Sequence, residues 1–559
     1  MSAIDWLVLS ITLISIVLYG IYKSKTEKNI DGYFRGNQQF SGFLVLLGIM
    51  GTQASAITFL SAPGQAYTDG MRFIQYYFGL PLAMVFIAVV FVPIYRKLNV
   101  YTAYEYIENR FDFKTRLLTA FLFLISRGLS TGISIYAPAL ILSGLLGWNI
   151  YFTNILMGGL LIIYTVTGGA KAVAHTQKLQ LTIIFTSLII AGILIVQMLP
   201  NEVGFFDALH ISGKMQKLNV ISSGMKDGKF DWSDKYNIWS GIIGGFFLAL
   251  SYFGTDQSQV GRFISAKSSK EGRMGLLMNG LVKIPMQFFI LLIGALLFSF
   301  YLFFQSPIFF NQSALDKVQQ NPRLSDSLAL VQNSFNQIKM EQANLVKMKP
   351  INYEKLAQLQ AESDGLRNQV KTWIASPEIK ADANDTNYIF LRFVIDFLPK
   401  GLVGLMIAVI FMAAWGSVAA ALNSLASSTL IDVIKPFSKQ NRTENQEYQL
   451  SKIITLFWGI FSVLVACFAH NLGNSLIEAV NILGSLFYGT ILGVFLVAML
   501  MKWIGALPVF VAAIASQLVV FYLFLFTPLS FLWYNVAGCF VVIAAAMVLE
   551  STKRFVNFK

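Results

Sequence analysis

Apolar runs bounded by short polar stretches recur thirteen times along the 559-residue chain. They lie at about 5–22, 43–68, 75–95, 117–146, 151–167, 179–199, 238–261, 275–304, 400–430, 453–469, 475–500, 504–526 and 529–549. A bilayer core of ~30 Å takes ~20 mostly apolar helical residues, so each run reads as a membrane span. Asp5 is the one charge before the first run, and no small-residue cleavage site follows it, so it reads as a retained span and not a cleaved signal. Between spans 8 and 9 the pattern changes. In the polar insertion 306–386, Leu324, Leu328, Val331, Phe335 and Ile338 recur at three- and four-residue spacing, and after Pro350 so do Leu356, Leu359, Leu366, Val370 and Trp373. That spacing predicts two amphipathic helices packed as a hairpin. The expected fold is an all-α integral membrane protein, a single domain made of spans 1–8 (residues 1–305), the extracytoplasmic helical insertion (306–386) and spans 9–13 (387–559). The insertion reads as a solvated cap or as a docking site for an outer partner protein, and the sequence does not choose between them.

Composition supports the membrane reading. Hydrophobic residues make up 55% of the chain and charged ones only 13%, against about 25% charged in soluble proteins. This excludes an ordinary soluble multidomain enzyme and a disordered chain. The net charge of +13 would suggest nucleic acid, but the Lys/Arg residues concentrate in alternate loops. Lys23, Lys25, Lys28 and Arg35 follow span 1, and Arg96, Lys97, Arg110, Lys114 and Arg116 follow span 3. Arg262, Lys267, Lys270 and Arg273 follow span 7, Lys435, Lys439 and Arg442 follow span 9, and Lys553, Arg554 and Lys559 end the chain. By the positive-inside rule these lie in the cytoplasm, with the N-terminus outside, in a plasma membrane (the inner membrane of a bacterium). Nucleic acid is thereby dismissed as a partner. Cys467 and Cys539 sit in apolar runs and support no disulfide framework, and His175, His210 and His470 lack metal-ligand spacing. No phosphate-binding loop, HExxH or nucleophile elbow is present, so no enzyme activity is expected.

Polar, Gly- and Pro-interrupted stretches inside spans are costly in lipid and mark cavities. Span 2 carries Gly48, Gly51, Thr52, Gln53, Ser55, Thr58, Ser61, Pro63 and Gln65; span 7 carries Gly241, Gly244, Gly245, Ser251, Gly254, Thr255, Asp256 and Gln257. Each begins a set of five spans, 2–6 and 7–11, and an odd number inverts the second set relative to the first. Paired breaks in inverted halves point to a midplane transport site. Close packing of small residues explains the Gly and Ala here, but not Gln53, Thr58, Asp256 or Gln257.

Four motifs then resemble the sodium:solute symporter family: Ser-Ala-x-x-Phe at 55–59, Gly-Gly-x-x-Ala-Val-x-x-Thr at 168–176, Leu-Asn-Ser at 422–424 and Gly-x-Ile-Leu-Gly-Val-Phe at 489–495. The resemblance runs from about residue 5 to 550 apart from the insertion. It implies a leucine-transporter-type inverted-repeat fold and secondary active transport of a small polar or anionic organic solute by Na+ symport, through alternating access. Na+ is the implied coupling ion, a single one. Its ligands would be carbonyls of Gly51, Ala54 and Ala413 with positions 416 and 417, of which Ser417 keeps a hydroxyl and Gly416 does not. The family's second-site acid falls on Gln177, and the hydroxyls one turn beyond 416 fall on Ala419 and Ala420. These departures motivate an alternative, a Na+-independent or proton-coupled carrier of the same fold; a transporter-like solute sensor is the other.

The solute residues implied are Thr58, Gln75, Tyr77, Arg127, Tyr252, Lys283 and Asn481. Arg127, inside span 4, is a functional candidate because intramembrane charge is expensive, and its fork suits a carboxylate. Its bland alternatives are an ion pair with Asp256 and snorkelling to the inner face. Lys283 and Tyr252 resemble a substrate-contacting lysine and an inner-gate ring of sugar-transporting relatives.

Overall fold

The computed structural model describes residues 1–24, 30–438, 442–469 and 475–557, without the side chains of 17, 20, 21, 23, 24, 145, 167–172, 556 and 557. Lys23, Lys25, Lys28, Lys439, Lys559, His470 and the central residues of the 168–176 motif therefore fall outside the description. Among the described residues, nine helices are long and apolar enough to cross a membrane. A bent pair, Gly42–Gln53 (α2) and Ala56–Asp69 (α3), forms a tenth span with a 63° bend, and three shorter apolar helices lie at Ala3–Ile16, Ile150–Val166 and Ser240–Gly254. Together these fall on all thirteen apolar runs of the sequence.

The remaining elements of the bundle are α1 (Ala3–Ser24), the helical run Met71–Leu98 (α4), α5 (Phe113–Leu146) and α6 (Ile150–Gln197). The second broken span is α7 (Gly245–Gly254) and α8 (Gln257–Ile264), followed by α9 (Ser269–Phe303). After the insertion come α12 (Leu402–Ser428), α13 (Glu444–Phe468), α14 (Leu476–Leu500), α15 (Ala506–Phe526) and α16 (Phe531–Asn557). Spans 5 and 6 were expected as separate helices, yet the backbone is helical through Ile150–Gln197. It is not one straight rod. The Tyr164 and Thr176 hydroxyls lie 2.7 Å apart, whereas twelve straight helical residues would separate their Cα atoms by ~18 Å. The axis therefore turns sharply between them, as two spans require.

The insertion folds as its periodicity predicts, into α10 (Ser325–Lys347) and α11 (Tyr353–Ala375). Ile308, Phe309, Leu328, Phe335, Val370 and Ile374 form one apolar cluster, while Val346 and Leu356 pack on Phe298 and Leu302 of α9. The phase slips by one residue near the middle: Ile338 is half-buried and Lys339 is buried, its Nζ donating to Gln342 Oε1 at 3.0 Å. On the return to the bundle, buried Asp385 pairs with Arg367 (2.7 Å). Asn387 Oδ1 accepts from Ser61 Oγ of α3 at 2.6 Å and from the amide of Leu476 at the start of α14. Gly64 lets this segment approach: a Cβ there would stand 1.9 Å from the Thr386 carbonyl oxygen. A cavity of about 920 Å³ opens between the insertion and the ends of α3, α5 and α14.

Candidate functional site

Both breaks face one interior cavity of about 120 Å³. At the first break the Ser55 amide donates to the Gln53 carbonyl at 2.8 Å. A continuous helix would send it to Gly51, so the Gly51 carbonyl loses its usual donor. Thr58 Oγ1 also donates to the Gln53 carbonyl, at 3.3 Å. At the second break Asp256 caps α8, its Oδ1 accepting from the Ser258 amide (2.8 Å) and Ser258 Oγ (2.6 Å). Backbones pack closely beside it. A Cβ at Gly241 would stand 2.2 Å from the Gln75 carbonyl oxygen, and one at Gly245 would stand 2.6 Å from that of Tyr76. This contact sets Tyr76 and Tyr77 against the cavity.

Six of the seven solute candidates line it: Thr58, Tyr77, Arg127, Tyr252, Lys283 and Asn481. Gln75 does not. It is fully buried in the turn below Tyr76, its Nε2 donating to the Tyr236 carbonyl (2.9 Å) and its Oε1 accepting from the Ser222 amide (3.1 Å). A carboxamide so engaged with backbone is a structural clasp. Gln53, which the sequence marked at the first break, lines the cavity too, and so do Tyr488 and Tyr76, which sequence reasoning omitted. Tyr76 donates to Asn481 Oδ1 at 3.1 Å.

Arg127 meets two descriptions at once. It lines the cavity, and it is paired with Asp256, as its alternative reading anticipated. Nε donates to Asp256 Oδ2 at 3.1 Å and Nη2 donates to the same oxygen. Tyr488 closes the triangle, accepting from Nη2 at 3.1 Å and donating to Asp256 Oδ2 at 3.0 Å. The guanidinium carbon stands 5.3 Å from the centre of the Tyr252 ring. Lys283 differs. It is 1% exposed, and among the described residues no carboxylate lies within 4 Å of its Nζ. Its ammonium stands 5.4 Å from the centre of the Tyr77 ring. Two basic side chains thus line the cavity, and of these Arg127 alone is paired with a carboxylate.

The ion-site candidates lie where α2, α6 and α12 meet. Ser417 donates within its own helix, to the Ala413 and Ala414 carbonyls at 3.0 and 3.1 Å, which leaves its oxygen lone pairs available to a cation. The carbonyls of Gly51, Ala54 and Ala413 stand on the same elements. Gln177 Nε2 donates to the Gly416 carbonyl at 3.1 Å. Its side chain packs on Gly51, where a Cβ would meet it at 2.8 Å, and a Cβ at Gly416 would stand 2.7 Å from Gln180 Oε1. Two neutral carboxamides thus fill the space beside Gly416. Arg262, grouped by sequence with the exposed basic loop, is instead 6% exposed, with Nε donating to Thr52 Oγ1 at 3.2 Å.

On the side away from the insertion the second break is held shut. Tyr95 and Tyr104 donate to the carbonyls of Gly254 (2.7 Å) and Thr255 (2.9 Å). Gln257 Nε2 donates to the Tyr101 carbonyl at 2.8 Å while its Oε1 accepts from the Ala103 amide at 3.0 Å. No cluster of His, Cys, Asp and Glu suited to a metal occurs among the described residues.

Comparison with known proteins follows the same lines. The sequence model of the sodium:solute symporter family matches residues 33–333 and 370–515. The sodium/sialic acid symporter of Proteus mirabilis is 27% identical over 98% of this chain and 94% of its own length. Sodium-coupled monocarboxylate transporter 1 of Xenopus laevis is 25% identical over 90% of this chain and 69% of its own. A solved substrate-bound, outward-open Na+-coupled sialic acid symporter superposes with a TM-score of 0.75 at 26% identity, covering 99% of this chain and 98% of its own.

Proposed function

The chain belongs to the sodium:solute symporter family, a multi-pass transporter that uses Na+ as coupling ion, and from that membership we propose that it imports a small organic anion of the carboxylated-sugar type. The observation that carries the proposal is the buried Lys283 amine, which lines the same cavity as Arg127 and has no carboxylate partner among the described residues. A buried unpaired charge is strongly unfavourable, so a site that keeps one is suited to a ligand that neutralises it. A carboxylate between Lys283 and Arg127 does so, with Thr58, Asn481 and Tyr76 offering polar atoms to hydroxyl or amide groups and Tyr252 and Tyr77 offering ring faces. The reading agrees in charge with the relatives named as sialic acid symporters.

Na+ binds at the Gly51, Ala54, Ala413 and Ser417 oxygens in this reading, and one ion is coupled per solute, because Gln177 and Gln180 occupy the space beside Gly416. The N-terminus and the insertion lie outside and the C-terminus in the cytoplasm, in keeping with the Lys/Arg bias of the loops. The test is uptake of radiolabelled N-acetylneuraminate into proteoliposomes with and without an inward Na+ gradient, competed by N-acetylmannosamine, which lacks the carboxylate. Saturable, Na+-driven uptake that the neutral sugar fails to compete supports the proposal. Equal competition by the neutral sugar refutes the anionic solute.

A further inference from the structure

Asp256 is bound to Arg127 at the one edge where the guanidinium presents Nε and Nη2 together. This carboxylate stands where an anionic solute would seek a two-pronged contact. We infer that Asp256 is an internal stand-in for the solute's carboxylate: it neutralises Arg127 in the empty carrier, gives way when the solute binds, and thereby lets the empty carrier reorient. This rests on the anionic-solute reading above.

Three features support the exchange of partners. First, Asp256 is not left bare when Arg127 leaves it. Its Oδ1 keeps the Ser258 amide and hydroxyl, at 2.8 and 2.6 Å, and its Oδ2 keeps the Tyr488 hydroxyl at 3.0 Å. A carboxylate with three donors tolerates the loss of its cation far better than one with none. Second, Tyr488 touches both partners and donates to only one, so it can hold Asp256 while the guanidinium turns toward the cavity. Third, the pair joins different parts of the fold: Arg127 lies midway along the continuous helix α5, and Asp256 lies in the break between α7 and α8. Without Asp256, closing the empty cavity would bury Arg127 as well as Lys283 unpaired, and an unpaired buried cation is strongly disfavoured. The empty carrier would then stall, while the solute-loaded carrier would still cycle because the solute supplies the carboxylate.

Asp256 is therefore a positioning residue with a specific signature. In proteoliposomes, Asp256→Asn should lower net Na+-driven uptake of N-acetylneuraminate by at least about tenfold, the scale expected when a buried cation loses its partner. Exchange of external for internal N-acetylneuraminate should stay within about threefold of the unsubstituted protein, since exchange never requires the empty carrier to reorient. Asp256→Glu, which restores the charge, should recover part of the net uptake. If the Asn variant does not fold, the Glu variant still tests the idea through its ratio of net uptake to exchange, which should fall. Loss of net uptake and exchange in parallel, or retention of both, overturns the inference. An arm without organic solute separates this from the identity of the solute: recovery of Na+-evoked charge movement should slow by at least about tenfold in Asp256→Asn. Unchanged recovery overturns the stand-in role, whereas slowed recovery in a protein that does not carry N-acetylneuraminate supports it and refutes only that choice of solute.

Discussion

Replacing Lys283 with Met offers the sharpest test of the site, because it should move stability and transport in opposite directions. The side chain is 1% exposed, its Nζ stands 5.4 Å from the centre of the Tyr77 ring, and among the described residues no carboxylate lies within 4 Å. A charge there has a desolvation cost that a cation–π contact of ~0.5–2 kcal/mol only partly offsets. Methionine keeps most of the volume and removes the charge, so the thermal midpoint should hold or rise. The solute-bound state should lose a hydrogen bond to a charged group, worth ~1.5–3 kcal/mol. At ~1.4 kcal/mol per tenfold, KM for N-acetylneuraminate should rise by about 10- to 150-fold. The assay pairs initial-rate uptake in proteoliposomes with thermal unfolding of the same preparation. A midpoint that falls while KM stays fixed would show that Lys283 serves the fold and would sink the argument.

Gly64→Ala should lower the thermal midpoint, since its Cβ would stand 1.9 Å from the Thr386 carbonyl oxygen, and overpacking typically costs ~1–3 kcal/mol. Gly416→Ser should displace the Gln180 carboxamide, whose Oε1 stands 2.7 Å from the new Cβ, and so should couple to Gln180→Ala; a double-mutant cycle on thermal unfolding reads the coupling, expected at ~0.5–3 kcal/mol. Lys339, in the insertion, is pushed down to about 7 chiefly by burial and secondarily by the Arg367 guanidinium, against the pull of Asp364. Its folded pKa thus lies below the unfolded value of ~10.4, so the unfolded insertion binds more protons between these values. Stability of the hairpin should rise by up to ~1.4 kcal/mol per pH unit from about pH 7 upward and stay level below it. Lys339→Met should flatten that slope, read by hydrogen exchange in α10 between pH 6 and 9.

The parts of this protein that announce themselves in sequence are those where polarity and environment conflict. Ser55, Thr58, Asp256 and Gln257 stand out because lipid-spanning runs rarely tolerate them, and both helix breaks fall there. The hairpin was legible because α10 and α11 bury one face against a small cluster, which imposes a 3.6-residue period. What the pattern misses is decided by neighbours far along the chain. Gln75 and Tyr77 are two residues apart, yet the 3-10 turn sends one to the Tyr236 carbonyl and the other to the cavity. Arg262 follows an apolar run like the other loop arginines, and only the packing of α8 on α2 buries it. Tyr488 is one of 22 tyrosines, and nothing local marks it as the residue between Arg127 and Asp256. The split of a charged cluster into its pairs is a three-dimensional fact.

The hairpin is fastened at two places. Val346 and Leu356 grip α9, and the adjoining return segment, joined to α11 by the Arg367–Asp385 pair, is tied through Asn387 to α3 and α14. A bar clamped at both ends to different members of a frame acts as a strain gauge for that frame. Any sliding of α3 against α9 must tilt, bend or unfasten it. Leu330 and Met340 lie on its solvent-facing side, 70% and 54% exposed, where spectroscopic labels would reach water without entering the cavity. A label at either position, paired with one on the bundle itself, would report the movements of the buried helices from outside the cavity, one turnover at a time.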